Sequence, residues 1–226
     1  MNRGINYPKT QLHAFTPLPP ASFYPAECKL KAQAFRWSRI KMNLPDVTPA
    51  SSLIPRTVAS SQSEMTEIVL PNDTNILGNL LGGRLLHFID MTGAMAAYRH
   101  ARTYMVTAAM DHIDFIRPVH LGELVILRSS VNRAFSTSME VGVKVWTEDP
   151  QTGELLHVAS AFLVFVAVDK HGRSVRVPQV IPETPEEQRH YADALLRREH
   201  RIAEAARRKQ EKAAHAAQQA AEPQAN

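Results

Sequence analysis

The most informative pattern of polar and apolar positions lies in residues 71–100, PNDTNILGNLLGGRLLHFIDMTGAMAAYRH. Turn-forming polar residues give way at Gly82 and Gly83 to a long apolar run. Within it Asp90 is the only formally charged side chain between Arg84 and Arg99. That run predicts a helix from about Gly82 to Ala101, apolar enough to be buried all round. Upstream, residues 64–70 (EMTEIVL) read as a strand closed by Pro71 and the Asn72-Asp73 turn. Downstream, strands are predicted over 105–115, 123–132, 137–148 and 155–168, with no helix between them. Val141, Val143 and Val145 alternate with Gly142, Lys144 and Trp146, the period of a half-buried strand. Pro118 with Gly122, and Asp149-Pro150-Gln151-Thr152-Gly153, supply the turns.

One helix followed by a meander of long strands is an α+β layout. Strands of ten or more residues must twist and curl, so the expected solution is a curved antiparallel sheet wrapped around the helix. Such a sheet leaves an edge, and pairing edges across a two-fold axis removes it, which predicts a dimer. A second helix starts at a capping box, Thr184-Pro185-Glu186-Glu187. It continues rich in Ala, Arg, Glu and Gln, and its mixed charges predict an exposed, solvated helix. Residues 1–58 hold 8 of the 15 prolines and no periodicity. They are expected to form a disordered or non-native arm, with Met42 as an alternative start. The expected organisation is therefore an arm over 1–58, one domain over 59–183, and a charged helix and tail over 184–226. The chain shows no internal repeat.

Charge sharpens this picture once it is divided along the chain. Residues 1–60 carry 8 Lys and Arg against 2 acids, residues 61–185 carry 10 against 13, and residues 186–226 carry 8 against 7. The central domain is mildly acidic, which argues against a nucleic-acid-binding face. No stretch is apolar for the ~20 residues that span a bilayer, and no secretory signal opens the chain. A single cysteine, Cys28, suits a reducing compartment. A cytoplasmic location is expected, and the basic arm keeps a mitochondrial one as the alternative.

The candidate chemistry follows from the helix. A carboxylate in apolar surroundings must be paired, protonated or functional, so Asp90 either pairs with a neighbour such as Arg99 or His87 or takes part in chemistry. Gly82 and Gly83 at the helix start let a ligand approach backbone N–H groups that have no intrahelical partner. Those groups and the helix dipole favour a developing oxyanion, which is what acyl-transfer hydrolysis requires. His87 and His100 lie on the helix, where packing is the expected role; His112 and His157 lie in strands and are expected to face solvent or neighbours. Met91, Met95, Phe115 and Phe162 either line an acyl tunnel or pack the core, and core is the expectation. No His, Cys and Asp cluster has metal-ligand spacing, so no metal is expected.

Five stretches, DTNILGNLLGGRLLHFIDMTGA with YRHA, VTAAMDHIDFIRPVHLGE, TSMEVGVKV and AFLVFVAVD, resemble in order the hotdog-fold acyl-CoA thioesterases. The likeness covers about residues 56–185 and is nearest to single-domain bacterial relatives of cytosolic long-chain acyl-CoA hydrolase. It implies a homodimer, usually assembled as a hexamer of three dimers. It also implies hydrolysis of fatty acyl-CoA to free fatty acid and CoA with no cofactor, coenzyme A being part of the substrate. In the family an Asn of one protomer and an Asp of the other form the site, and these fall on Asn75 and Asp90. Asn79, on the same turn, is the competing amide, and Asp90 acts as general base or as nucleophile. Arg99, Thr137, Ser138, Arg173 and Arg176 are the candidates for binding CoA. Two rivals remain at this stage: a hotdog hydratase or dehydratase, whose catalytic His near the helix start is missing at residues 80–84, and a non-catalytic acyl-CoA sensor.

Overall fold

The helix predicted from the apolar run is α1, Gly82–Ala101, in a computed structural model that describes residues 53–111 and 113–221. Most of the expected arm, with Cys28 and Met42, and also His112, lies outside the described residues. Helix α1 packs into a five-stranded antiparallel sheet. In chain order its strands are β2 (Ser63–Ile68), β3 (Tyr104–Met110), β4 (Leu124–Ala134), β5 (Ser138–Glu148) and β6 (Leu155–Val168). Across the sheet they run β2-β4-β5-β6-β3, so β2 and β3 are the edges. Strands β4, β5 and β6 reach 11 to 14 residues. Register shifts between Val131 and Arg133, Val145 and Trp146, and Thr107 and Ala109 mark where the ladders curl. The fold is the expected one, a curved sheet around one long helix.

Alternation along β5 decides which side chains meet α1. Met139, Val141, Val143 and Val145 are fully buried on the inner face, while Gly142 and Lys144 point outward. The helix answers with Leu85, Phe88, Ile89, Thr92, Gly93, Ala96 and Ala97. A Cβ at Gly93 would stand 3.2 Å from the Phe165 ring, so this glycine is what lets helix and sheet close together. Ser129 Oγ donates to the Thr92 carbonyl at 2.7 Å across the same contact.

Several expectations need correction. Helix α1 is buried along one face only. Arg84, His87 and Tyr98 are exposed, and Asp90, Met91, Ala94 and Met95 are half-buried. One curved sheet covers one side of a helix, and among the described residues nothing covers the other. The strand expected over 105–115 stops at Met110; the Asp111 N–H still donates to the Phe162 carbonyl of β6 at 2.9 Å, and its carboxylate meets Arg201 at 2.6 Å. None of the four large residues assigned to the core is fully buried: Met91 and Met95 lie on the open face of α1, Phe115 is exposed, and Phe162 lies on the outer face of the sheet. Two strands were missed, β1 (Arg56–Thr57) and β7 (Val180–Ile181), which pair in parallel. Two residues give no periodicity to read. They carry ordered structure across the expected boundary at 58, where Val58 is buried.

Helix α2 (Pro185–Ala221) begins at the predicted capping box: Thr184 Oγ1 accepts from the Glu187 N–H at 3.2 Å, and Glu187 accepts from the Thr184 N–H at 3.0 Å. From Ala205 to His215 it is exposed as expected, but the residues of one stripe before that, Glu187, Tyr191, Ala194, Arg197 and Arg201, are buried or half-buried. They lie on the outer face of the sheet over Glu140, which is completely buried. Glu140 accepts from Arg197 at 2.7 Å, from Arg201 at 3.2 Å and from Asn132 at 3.3 Å, and Arg197 stacks on Phe162 at 3.7 Å. A buried carboxylate is tolerated only when its lone pairs are filled in this way. No helix among the described residues is long and apolar enough to cross a membrane.

His100 lies at the end of α1, fully buried. Its Nε2 sits 2.9 Å from the Pro178 carbonyl and its Nδ1 has no partner. Burial holds its pKa below the usual histidine value, against the bond to Pro178, and the Arg56 charge adds to the depression. The folded protein therefore refuses a proton that the unfolded chain takes up near pH 6.5. Its stability is complete above that pH and is lost as pH falls below it. Urea midpoints at pH 7.5 and 5.5 should show a smaller pH dependence for His100→Gln than for wild type, by at most about 1.4 kcal/mol per pH unit. Equal dependence would show that His100 titrates normally.

Candidate active site

Two groups of side chains stand along α1, one at its start and one two turns further on. The first is built by the loop that precedes the helix. Asn75 folds this loop around itself: its Oδ1 accepts from the N–H groups of Leu77 at 2.9 Å and Asn79 at 3.2 Å. Its backbone N–H donates to the Asn79 carbonyl at 2.8 Å, and Gly78 closes the turn at φ +75°. With Oδ1 used internally, the Nδ2 group is the part of Asn75 left for a ligand, and the residue is exposed. Asn79 is half-buried and gives its own N–H to Asn75, which makes it a support of the loop.

The loop delivers the chain to the helix start. Leu81 donates to the Asp73 carbonyl at 2.8 Å, and Arg84 forms an ion pair with the Asp73 carboxylate at 2.8 Å. No side chain caps α1, and the N–H groups of Gly82 and Gly83 have no partner among the described residues. A Cβ on Gly83 would meet open space, and one on Gly82 would lie 3.6 Å from the Phe115 ring. The exposed donors thus face a space bordered by an aromatic side chain.

The second group is Asp90 with Thr107. The carboxylate projects from the open face of α1, and Thr107 of β3 donates its hydroxyl to Oδ1 at 2.7 Å. Neither Arg99 nor His87, the neighbours proposed for it from the sequence, pairs with it. Sequence reasoning missed Thr107, because a threonine inside VTAAM is also an ordinary strand former. Eight residues of helix place Asp90 about 12 Å along the axis from Gly82.

The CoA-binding candidates gather elsewhere, at the end of the sheet where α1 finishes. Arg99 donates to the Gln62 carbonyl, and its own carbonyl accepts from Arg56 at 3.2 Å. Ser138 Oγ accepts from Arg198 at 3.4 Å, and Thr137 lies on the same β4–β5 turn. Arg173 is exposed and bonded to Asp169 at 3.0 Å, and Arg176 is exposed on the same loop. Bonds from Val177 to Ser136 at 3.1 Å and from Gln179 to Phe135 at 3.4 Å bring that loop against the turn. The structure therefore collects these residues in one region but does not bring them to Asp90 within one chain. Of the histidines, His87 is exposed, and His157 packs by Ser160 at 3.0 Å and by the Trp146 ring. Among the described residues no group of three or more His, Cys, Asp or Glu side chains has the arrangement of a metal site.

Residues 77–154 match the family described as the Thioesterase superfamily. YkhA of Bacillus subtilis, named an uncharacterized acyl-CoA thioester hydrolase, is 46% identical over 122 residues, which cover 54% of this chain and 71% of that protein. The chain belongs to the hotdog-fold thioesterase superfamily. It is an enzyme of that family, a thioester hydrolase. A crystal structure of a hexameric acyl-CoA thioesterase superposes with a TM-score of 0.66 at 40% identity, covering 68% of this chain and 98% of that one. Acyl-CoA hydrolase from Staphylococcus aureus, in complex with butyryl coenzyme A and coenzyme A, gives 0.66 at 33% identity over 71% of this chain and 98% of that one. Alanine variants of the S. aureus thioesterase replace one asparagine, one aspartate and one threonine. Those three residues stand at the same intervals along their chain as Asn75, Asp90 and Thr107 along this one.

If Thr107 holds the carboxylate in its working orientation, Thr107→Val should lower kcat about ten- to a hundredfold with KM nearly unchanged. Steady-state kinetics on an acyl-CoA would check this, and an unaltered kcat would remove Thr107 from the site.

Proposed function

We propose that this enzyme hydrolyses fatty acyl-CoA to free fatty acid and CoA at a site shared by two copies of the chain. The observation that carries the reading is the separation along α1. Asn75 and the bare N–H groups of Gly82 and Gly83 form an amide half, and Asp90 with Thr107 forms an acid half about 12 Å away. A thioester carbonyl and its attacking water span only a few ångströms, since reacting atoms sit about 3–3.5 Å apart. One copy cannot serve both ends of the reaction. The amide half of one copy facing the acid half of another closes that distance, and the uncovered face of α1 is where they would meet.

In this arrangement the thioester oxygen accepts from Gly82 and Gly83. Those bonds strengthen as the oxygen becomes an oxyanion, so they stabilise the transition state more than the substrate. Asp90, held by Thr107, takes a proton from the attacking water, and the Asn75 Nδ2 group orients the water or the thioester. Direct attack by Asp90 to give a mixed anhydride uses the same groups and is the alternative role for that residue. The apolar setting supports an acyl chain as the substrate's other half. Ile76 is fully exposed in the loop, and Leu77, Leu81, Phe115 and Ile116 are exposed around the helix start. Arg99, Thr137, Ser138, Arg173 and Arg176 remain the candidates for the phosphates of CoA. A homodimer is the minimum assembly, and the hexameric relative supports three dimers as the full one. A cytoplasmic location rests on the single cysteine.

Incubating the pure protein with palmitoyl-CoA and a thiol reagent tests the reading. Wild type should release CoA, Asp90→Asn should fold but lose about a hundred- to ten-thousandfold in turnover, and Asn75→Ala should lose less. A profile from C2 to C18 chains should favour the long ones. Bound acyl-CoA without CoA release would instead mark a sensor, and near wild-type turnover of Asp90→Asn would remove the assigned base.

A further inference from the structure

Helix α2 crosses the outer face of the sheet from β4 and β5 toward the β3 edge. Over β4 and β5, Arg133 donates to the Tyr191 carbonyl at 3.0 Å and Lys144 pairs with Glu186 at 2.9 Å. Arg197 then stacks on Phe162 of β6, and Arg201 reaches Asp111, one residue beyond β3. There the sheet ends, since β3 is its edge. The helix does not end. The stripe that faces the sheet runs through Glu187, Tyr191, Ala194, Arg201 and Glu204, all buried or half-buried, and every residue from Ala205 to His215 is exposed. The segment from Ala205 to Ala221 extends about 25 Å past the last strand at 1.5 Å per residue. That is about five strand spacings, and an isolated helix of this length is marginal in water.

We propose that this overhang lies across the outer face of a second copy of the chain, joined to the first by pairing β3 edge to edge across a two-fold axis. The proposal rests on the two-copy reading of the active site and extends it to the opposite face of the sheet. Pairing β3 with its symmetry mate satisfies the free edge and makes the two outer faces continuous. The overhang then has a floor where a single copy has none. The vacant space beneath it is a groove of about 1230 Å³, bordered by Ala109 and Met110 of β3 and by Arg208, Lys209 and Lys212 of the helix.

The same two-fold sets the two α2 helices side by side and antiparallel, so each overhang runs beside the partner's sheet-bound turns. The chemistry along the helix fits that contact. Leu196 and Ile202 are more than half exposed on the sheet-bound part, and Ala206 and Ala213 on the overhang are small enough for close approach. Lys209 and Lys212 form no ion pair within the chain among the described residues, nor does Glu199. Antiparallel helices bring the unpaired lysines of one copy toward the unpaired glutamate of the other.

Hydrogen exchange on the full chain, read by mass spectrometry at concentrations above and below assembly, tests the overhang directly. Sedimentation equilibrium of a chain ending at Glu204 complements it. Amides of residues 205–215 should be protected in the assembly and become fast on dilution. The shortened chain should dissociate with a Kd raised about tenfold or more, with its unfolding midpoint at monomer concentrations unchanged. Fast exchange of 205–215 in an assembled, active enzyme, or an unchanged Kd after shortening, would overturn the overhang contact alone. A chain that hydrolyses acyl-CoA as a monomer at every concentration would overturn both this contact and the shared site.

Discussion

Everything in this domain depends on α1 being gripped along one face. Leu85, Phe88, Ile89, Ala96 and Ala97 meet the inner side of a curved sheet, and Gly93 lets the backbone come down against Phe165. Each large side chain buried here contributes about 1.5–3 kcal/mol. The sheet can wrap only so far, and among the described residues nothing covers the remaining face of the helix. Asp90 projects from that face. A carboxylate gripped on the inner side would have needed an ion pair or protonation, whereas this one needs only Thr107.

The two faces of the sheet carry different kinds of interaction. The inner one is apolar and fixes the helix that bears the site. The outer one buries Glu140 beneath Arg197 and Arg201, a contact that is costly to desolvate and strongly destabilising to break. It ties α2 to β5 with geometry rather than with apolar area. Both faces end at β3, the same strand that supplies Thr107. One free edge thus lies beside the catalytic candidates and beneath the overhanging helix, so assembly, site and C-terminal helix meet at one strand.

Much of this was legible in the chain. The apolar run from Gly82 fixes α1 to the residue, and the alternation in β5 gives its inner and outer sides. The capping box at Thr184 locates the start of α2. What was not legible depends on distant partners. Asp111 reads as one more strand residue, and nothing near it in the chain announces its ion pair with Arg201, ninety residues later. Thr107 reads as a strand former until the fold sets it against Asp90. The burial of α1 was overestimated because composition records how apolar a helix is, not how many of its faces one copy can cover. The charges of α2 read as a solvated face because a buried Glu140 gives no sign in its local sequence. Asn75 and Asp90 enter as candidates through the resemblance, while the distance between the start of α1 and Asp90's partner Thr107 needed the coordinates.

Subunit exchange between two impaired variants tests the shared site most directly. Asp90→Asn and Asn75→Ala proteins, prepared separately and mixed under conditions that let copies exchange, should recover about a quarter of wild-type CoA release, the statistical share of sites that draw both intact halves from different copies. Activity no greater than the sum of the two parents, with exchange verified by mass, would place the whole site within a single chain and contradict the account.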